Sequence, residues 1–376
     1  MIYNDFQDLK LSNLGLGMMR LPVKEDGLID EDETARMIEY ALANGINYYD
    51  TAWGYHNGES ENIVGKILSK YPRESYYLAS KFPGYDLNNM GKVEEIFNAQ
   101  LKKCNTPYFD FYLIHNVCEK NIDGYLDEKN GILPYLLKQK EEGKIKKFGF
   151  SVHGDLNTMN RFLSMYGPYM EFCQIQLNYL DYEFQAAKDK MEVLKNLNIP
   201  VWVMEPLRGG KLVKSLEKYT EKLNELRPNV NGVEWAFRFV QTFPEVKVIL
   251  SGMSNMEQLK QNIEIFNEYK PLNENEFEVL KTIGHDMISG NVLPCTACRY
   301  CTEKCPMGLD IPMLIDLYNE HSVTGGGFIP AMRLDTLPVD KKPSACIGCK
   351  ACEAVCPQNI KISEAMDDFS KKMGLR

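Results

Sequence analysis

A chain of 376 residues that is 44% hydrophobic can bury a large core, and accommodates either one large domain with an appendix or two ordinary domains. Its formal net charge of -9, with no clustered and unneutralised Lys and Arg, excludes the phosphate-gripping surface of a nucleic-acid binder. No run of about 18 apolar residues occurs, and no basic lead opens an apolar stretch at the N-terminus, so the expectation is a cytoplasmic protein with no membrane span.

From residue 11 to about 270, short apolar runs rich in β-branched and aromatic residues alternate with longer amphipathic ones. The runs expected to be strands are 14–21, 46–52, 76–82, 109–116, 146–153, 172–179, 200–207 and 246–253. Between them lie helical patterns such as DEDETARMIEYALANG, where Ala35, Ile38 and Leu42 recur at helical spacing and Gly45 supplies the stop. Parallel neighbours need a crossover, so strands alternating with helices predict an α/β fold closed as a (β/α)8 TIM barrel. A doubly wound open sheet is the alternative, but no G-x-G-x-x-G opens a helix after a strand, which counts against a Rossmann domain.

The rhythm breaks after residue 272, where one last helical pattern, NENEFEVLKTIGHDMI, leads into a different kind of sequence. The expected division is a barrel over 1–287 and a small second domain over 288–376. Eight of the chain's 11 cysteines fall in this second part, in two runs that both read C-x-x-C-x-x-C-x-x-x-C-P, while Cys104, Cys118 and Cys173 are scattered. Three closely spaced thiolates wrap three irons of a cubane, and the fourth, set off by proline, reaches the other cluster. The expected ligand sets are therefore Cys295, Cys298, Cys301 and Cys356 for one 4Fe-4S cluster, and Cys346, Cys349, Cys352 and Cys305 for the other. Zinc sites use paired C-x-x-C hooks and rarely this four-cysteine run before proline. The segment between the runs is long and looks helical around 311–320, so the domain resembles the α-helical ferredoxin type more than the compact βαββαβ one.

Where barrel strands end, the active face of a TIM barrel begins. Here those ends carry Asp50 with Tyr55 just beyond it, then Lys81, then His115. The set is coherent for carbonyl reduction: an ammonium stabilises the phenolate of a nearby tyrosine, a carboxylate holds the ammonium, and an imidazole orients the carbonyl. Each residue alone has an ordinary structural explanation as a packing tyrosine, a helix cap or a solvated charge. Together, on three consecutive strand ends, they point to a site.

The stretches YYDTAWGYHNGESENIVG, LASKF and YLIHN resemble the aldo-keto reductase family, and the cysteine-rich end resembles the ferredoxin extension of its iron–sulfur members. By that resemblance Tyr55 is the general acid, Lys81 and Asp50 tune it, and His115 positions a small carbonyl or alcohol substrate. It further implies NADH or NADPH bound across the barrel mouth, with Ser151 and Gln174 on its carboxamide. Leu207, Arg208, Gly209 and Lys211 in one loop, and Gly252, Ser254, Gln258 and Asn262 in another, would wrap the pyrophosphate and adenosine. Val152 and Met204 stand where the family often has Asn and an aromatic, and no Arg near Gln258 is placed to grip a 2′-phosphate, so NADH, NADPH or a flavin remain open as cofactors. A ferredoxin or flavoprotein is the expected electron partner. The alternatives are an electron-transfer protein serving another redox enzyme, and a redox-sensing binding module.

Overall fold

The computed structural model describes residues 1–289, 292–295, 299–356 and 358–376, with backbone alone at Ser289 and Tyr300. The chain divides into two compact units, Met1–Lys281 and Thr282–Arg376.

In the first unit the chain opens with an antiparallel hairpin, β1 (Tyr3–Phe6) and β2 (Leu9–Ser12). Eight parallel strands then close into a barrel: β3 (Leu14–Gly17), β4 (Tyr48–Asp50), β5 (Tyr77–Phe82), β6 (Phe109–Val117), β7 (Ile145–Val152), β8 (Phe172–Gln176), β9 (Val201–Met204) and β10 (Val246–Ser251). They pair in chain order and β10 closes on β3. All eight lie inside the runs expected from sequence or within a residue of them. Several are shorter, because the apolar pattern runs on into the loop that leaves each strand.

The hairpin was not legible in the sequence, since its two four-residue strands, YNDF and LKLS, mix polar and apolar residues. It packs against the barrel interior through Phe6, whose ring meets Trp202 edge-on with centroids 4.9 Å apart. Tyr48, Phe111, Phe172 and Trp202 fill the interior around it. Aromatic burial of this kind makes the barrel a packed core and not a pore, leaving the C-terminal strand ends for chemistry.

Between the strands lie the helices that cover the barrel; most bury one stripe, while the helix Gly232–Gln241 is buried on every side from Trp235 onward. The helix Val93–Lys103 buries Val93, Ile96, Phe97 and Gln100, and the helix Glu31–Ala43 starts where Asp30 accepts from Glu33 N. A side-chain acceptor at that position satisfies a backbone N–H that has no partner within the helix.

The second unit is helical, with no strand among its described residues. The helices Ile311–Thr324 and Ile362–Lys372 bury Leu314, Ile315, Leu317, Met366 and Phe369 in a core that also takes in Cys301 and Cys352. Asn319 fixes the segment ahead of the first cysteine run by bonding Leu293 twice, donating to its carbonyl at 3.0 Å and accepting from its N–H at 2.8 Å. Among the described residues no helix is long and apolar enough to cross a membrane.

Candidate active site and cluster site

Asp50 ends β4, and the strand register sets it opposite Ala79 of β5, so Lys81, two residues on, shares that inward face one step nearer the mouth. Lys81 Nζ donates to Asp50 Oδ1 at 2.6 Å, to the Thr51 carbonyl at 2.8 Å and to the Tyr55 hydroxyl at 3.4 Å. Tyr55 is presented by a tight turn, Tyr55–Gly58, in which His56 (φ 51°) and Asn57 (φ 55°) adopt left-handed conformations. That strained geometry is held by side chains: His56 Nε2 accepts from Leu21 N at 3.0 Å, and Ser60 Oγ bonds both Thr51 Oγ1 and the Met18 carbonyl. The His115 ring stands edge-on to Tyr55, centroids 6.1 Å apart. The four residues expected from sequence are thus brought together.

Burial is the largest influence on each of them. It pulls Lys81 down, but Asp50 and Tyr55 outweigh it and the ammonium is held more firmly charged than an ordinary lysine. Burial raises Asp50. It also raises Tyr55, and Lys81 opposes this without reversing it. The sequence-based expectation of a phenol with lowered pKa therefore changes: at neutral pH Tyr55 is a protonated donor, and Lys81 acts by stabilising the phenolate left once the proton is given up. Burial, then Lys81 and His153, hold His115 well below the ordinary histidine range, so its imidazole is neutral.

A buried network behind β5 supports Lys81. Glu61 Oε1 accepts from Ser80 Oγ at 2.6 Å and from Gln100 Nε2 at 2.7 Å, Gln100 Nε2 also bonds the Lys81 carbonyl at 3.0 Å, and Tyr112 donates to Gln100 Oε1 at 2.6 Å. Sequence reasoning passed over these residues, although Glu61 sits inside the motif that carries the resemblance. It also passed over Tyr85. The Tyr85 ring meets His115 edge-on at 5.3 Å, and a Cβ on Gly54 would lie 2.2 Å from the Tyr85 hydroxyl, so the glycine makes room for a second phenol at the mouth.

The residues expected on a cofactor divide into two groups. Ser151 and Gln174 are paired across β7 and β8; Ser151 Oγ accepts from Asn116 N at 2.8 Å. Gln174 Oε1 is buried with no donor beside it, and its Nε2 meets only Met204 Sδ, at 3.6 Å. A buried acceptor left without a donor fits the primary amide of a nicotinamide. Leu207, Gly209, Lys211, Gly252, Ser254 and Gln258 lie at the loop surface or partly open to it. Asn262 is buried and donates to Ser251 Oγ at 3.1 Å. Arg208 departs from expectation: it is buried and its guanidinium is paired with Asp181, Nε to Oδ2 at 2.8 Å, so its charge is already matched inside the protein. A cation that sequence reasoning did not name, Arg20, lies against Gly209 and Gly252 and pairs with Glu205 at 3.3 Å.

The profile of the Aldo/keto reductase family matches residues 13–284 of this sequence. The chain belongs to the aldo/keto reductase family. Among relatives of this reductase, the uncharacterized oxidoreductase YqkF of Bacillus subtilis is 24% identical over 306 residues, covering 73% of this chain and 93% of its own. An NADH-specific methylglyoxal reductase of Escherichia coli is 25% identical over 305 residues, 69% of this chain and 91% of its own. In the solved structures the barrel resembles the holo form of an aldo-keto reductase from Bacillus halodurans, with TM-score 0.63 and 24% identity over 75% of this chain and 96% of that one.

The reductase also carries a 4Fe-4S dicluster domain, whose profile matches residues 294–360. Its two cysteine runs, identical in spacing, also share backbone features at matched described positions. Arg299 and Lys350, each two residues before the run's third cysteine, adopt φ 65° and 61°; Gly308 and Asn359, each three residues after the fourth cysteine, adopt 59° and 53°. A helix then starts at Ile311 in one repeat and Ile362 in the other. Cys305, Cys346, Cys349 and Cys352 line one hollow together with Met307, Ile311, Ile347 and Met366. Four thiol donors around an apolar hollow fit a cubane cluster, and they include the crossed fourth cysteine of the first run. Of the other set, Cys295, Cys301 and Cys356 are described, and Cys298 lies outside the described residues.

Proposed function

We propose that this reductase interconverts a small carbonyl compound and its alcohol with a nicotinamide cofactor at the barrel mouth, and that two 4Fe-4S clusters in the second unit exchange single electrons with a protein carrier. The observation that carries the reading is the Lys81 ammonium, held by Asp50 at 2.6 Å and standing 3.4 Å from the Tyr55 hydroxyl.

Nicotinamide supplies the hydride when bound, and Ser151 and Gln174 are the residues that would hold its carboxamide. The chain's own residues handle the proton. Tyr55 donates from its hydroxyl to the carbonyl oxygen, and Lys81 steadies the phenolate that remains. Neutral His115 directs a ring nitrogen to the same oxygen without adding a positive charge, and Tyr85 closes the mouth beside it. In the direction of alcohol oxidation the same phenolate takes the proton back. In the second unit, Cys305, Cys346, Cys349 and Cys352 would hold one cluster, and Cys295, Cys298, Cys301 and Cys356 the other; the clusters supply one-electron chemistry.

The test is anaerobic turnover of NADH and NADPH against a panel of small aldehydes and ketones, for the wild type and Tyr55→Phe. Tyr55→Phe should lose about 10²–10⁴-fold in turnover while the cluster absorbance is unchanged. Retained turnover would refute the assigned acid.

A further inference from the structure

The two cysteine repeats share left-handed turns at matched positions, Arg299 with Lys350 and Gly308 with Asn359, but differ in charge at one matched pair of positions. In the first repeat Arg299, held in a left-handed conformation after the second cysteine, pairs with Asp310 at 2.7 Å just before the helix. In the second repeat Lys350 occupies the Arg299 position, with φ 61°, and Lys361 occupies the Asp310 position. A neutral pair has become two cations. Both lysines are exposed, and neither has an ion-pair partner among the described residues. Glu353, the acid between them in sequence, is turned onto Ser363, accepting from its N–H and its hydroxyl.

The same face has two further features. Cys349 is exposed, while every other described cysteine of the two runs is buried or half-buried. Beside it Ile347, which lines the cysteine cavity, is 63% exposed. From 341 to 361 the chain carries Lys341, Lys342, Lys350 and Lys361 against Glu353, in a protein whose net charge is -9; Lys342 pairs with Asp335 at 3.7 Å and Lys341 donates to the Met307 carbonyl, which leaves Lys350 and Lys361 as the steering charges. A net cationic rim, with Lys350 and Lys361 sharing Glu353 as the acid between them, around an exposed apolar residue and an exposed ligand suits a small, fast and weak electron-transfer encounter.

We propose that the Ile347–Lys350 loop with Lys361 is the docking surface for a small acidic ferredoxin, and that the cluster on Cys305, Cys346, Cys349 and Cys352 is the port through which electrons enter or leave the protein. The inference rests on the cluster reading given above. On docking, one electron leaves the reduced ferredoxin, which is oxidised by one unit, and enters the oxidised cluster, which is reduced by one; no bond breaks and no proton moves. The first repeat, neutralised by its own Arg299–Asp310 pair, offers no such steering.

The chain's own first repeat supplies the test variant, because Lys361→Asp restores the charge pattern of Arg299 and Asp310 without touching a ligand. Holoprotein is mixed anaerobically in a stopped-flow instrument with a small acidic 4Fe-4S ferredoxin, reduced and freed of reductant, and bleaching of the cluster band is followed across ionic strength. Wild type should show a second-order rate that falls steeply with salt. Lys361→Asp and Lys350→Glu should each slow that rate by about tenfold at low salt and flatten the salt dependence, with iron, labile sulfide and dithionite reduction unchanged. Intact clusters with the wild-type rate and salt dependence in both variants would overturn the docking surface alone. A wild-type protein without labile sulfide would overturn the cluster reading, and the proposal with it. Rapid reduction by an acidic flavodoxin but none by the ferredoxin would overturn the choice of carrier.

Discussion

Lys81 donates to Asp50 at 2.6 Å with both side chains almost wholly out of solvent, 0% and 3% exposed. A buried ion pair adds little stability compared with an apolar pair, but removing one partner strands the other charge. Lys81→Met should therefore cost about 3–5 kcal/mol in anaerobic urea unfolding, far more than a surface lysine. It should also remove most carbonyl reduction, since the phenolate of Tyr55 loses its cation. A variant as stable as wild type would mean that Asp50 is not ionised in the folded protein.

Two half-buried imidazoles give the barrel an acid limit. His115 is held well below the ordinary value of 6.5, and His153 is pulled down to about 4, in both cases mainly by burial. Below pH 6.5 the unfolded chain takes up a proton at each position that the folded chain refuses, so stability is full above 6.5 and falls as pH drops. Each histidine contributes up to about 1.4 kcal/mol per pH unit across that interval. For His153 the loss should level off near pH 4, where the folded protein protonates too. Unfolding free energies at pH 7.0, 6.0 and 5.0 check the slope, and His153→Gln should reduce it by about one proton.

Crossed ligation separates the effect of a cysteine from its place in sequence. Cys305 closes the first run but lines the cavity with Cys346, Cys349 and Cys352. Cys305→Ser should lower iron and labile sulfide from about eight of each toward about four, and the surviving signal should belong to the other cluster. Because Leu309 N donates to Cys305 Sγ at 3.5 Å at the entry to the helix Ile311–Thr324, the loss should also loosen that helix in hydrogen exchange. Full iron content in Cys305→Ser would refute the crossed arrangement.

How much was legible beforehand follows from the range of each interaction. The barrel strands announce themselves through local apolar runs, and Asp50, Tyr55, Lys81 and His115 through their place at three consecutive strand ends. Gly65, which ends the first of the motif stretches, has a cause the sequence does not show: a Cβ there would lie 2.5 Å from the Cys104 and Lys103 backbone, so the helix Ser60–Leu68 needs the glycine to approach that segment. What stayed hidden depends on distant contacts. Tyr85 is one of 21 tyrosines until His115 and Gly54 come beside it, and Arg208 looks like a phosphate grip until Asp181, 27 residues away, is seen to hold it. Net pKa directions are equally non-local, which is why burial, invisible in the sequence, reversed the expected shift of Tyr55.

The Arg208–Asp181 pair bears on cofactor choice. Both side chains are buried, 8% and 0% exposed, so turning the guanidinium toward a 2′-phosphate would leave a carboxylate stranded, at a cost of about 3–5 kcal/mol. The first turn of the helix Met256–Ile265 offers Glu257 and Gln258 and no cation, and Gln258 accepts from Ser254 N at 2.9 Å. Because Arg208 is held by Asp181 and Arg20 is paired with Glu205, NADPH should hold no advantage, and kcat/KM for NADH should equal or exceed that for NADPH. Gln258→Arg should then shift the ratio toward NADPH by about tenfold, the equivalent of about 1.4 kcal/mol for one charge-assisted contact. A wild-type preference for NADPH of a hundredfold or more would instead place a working cation at Arg20, whose guanidinium side chain lies against both loops.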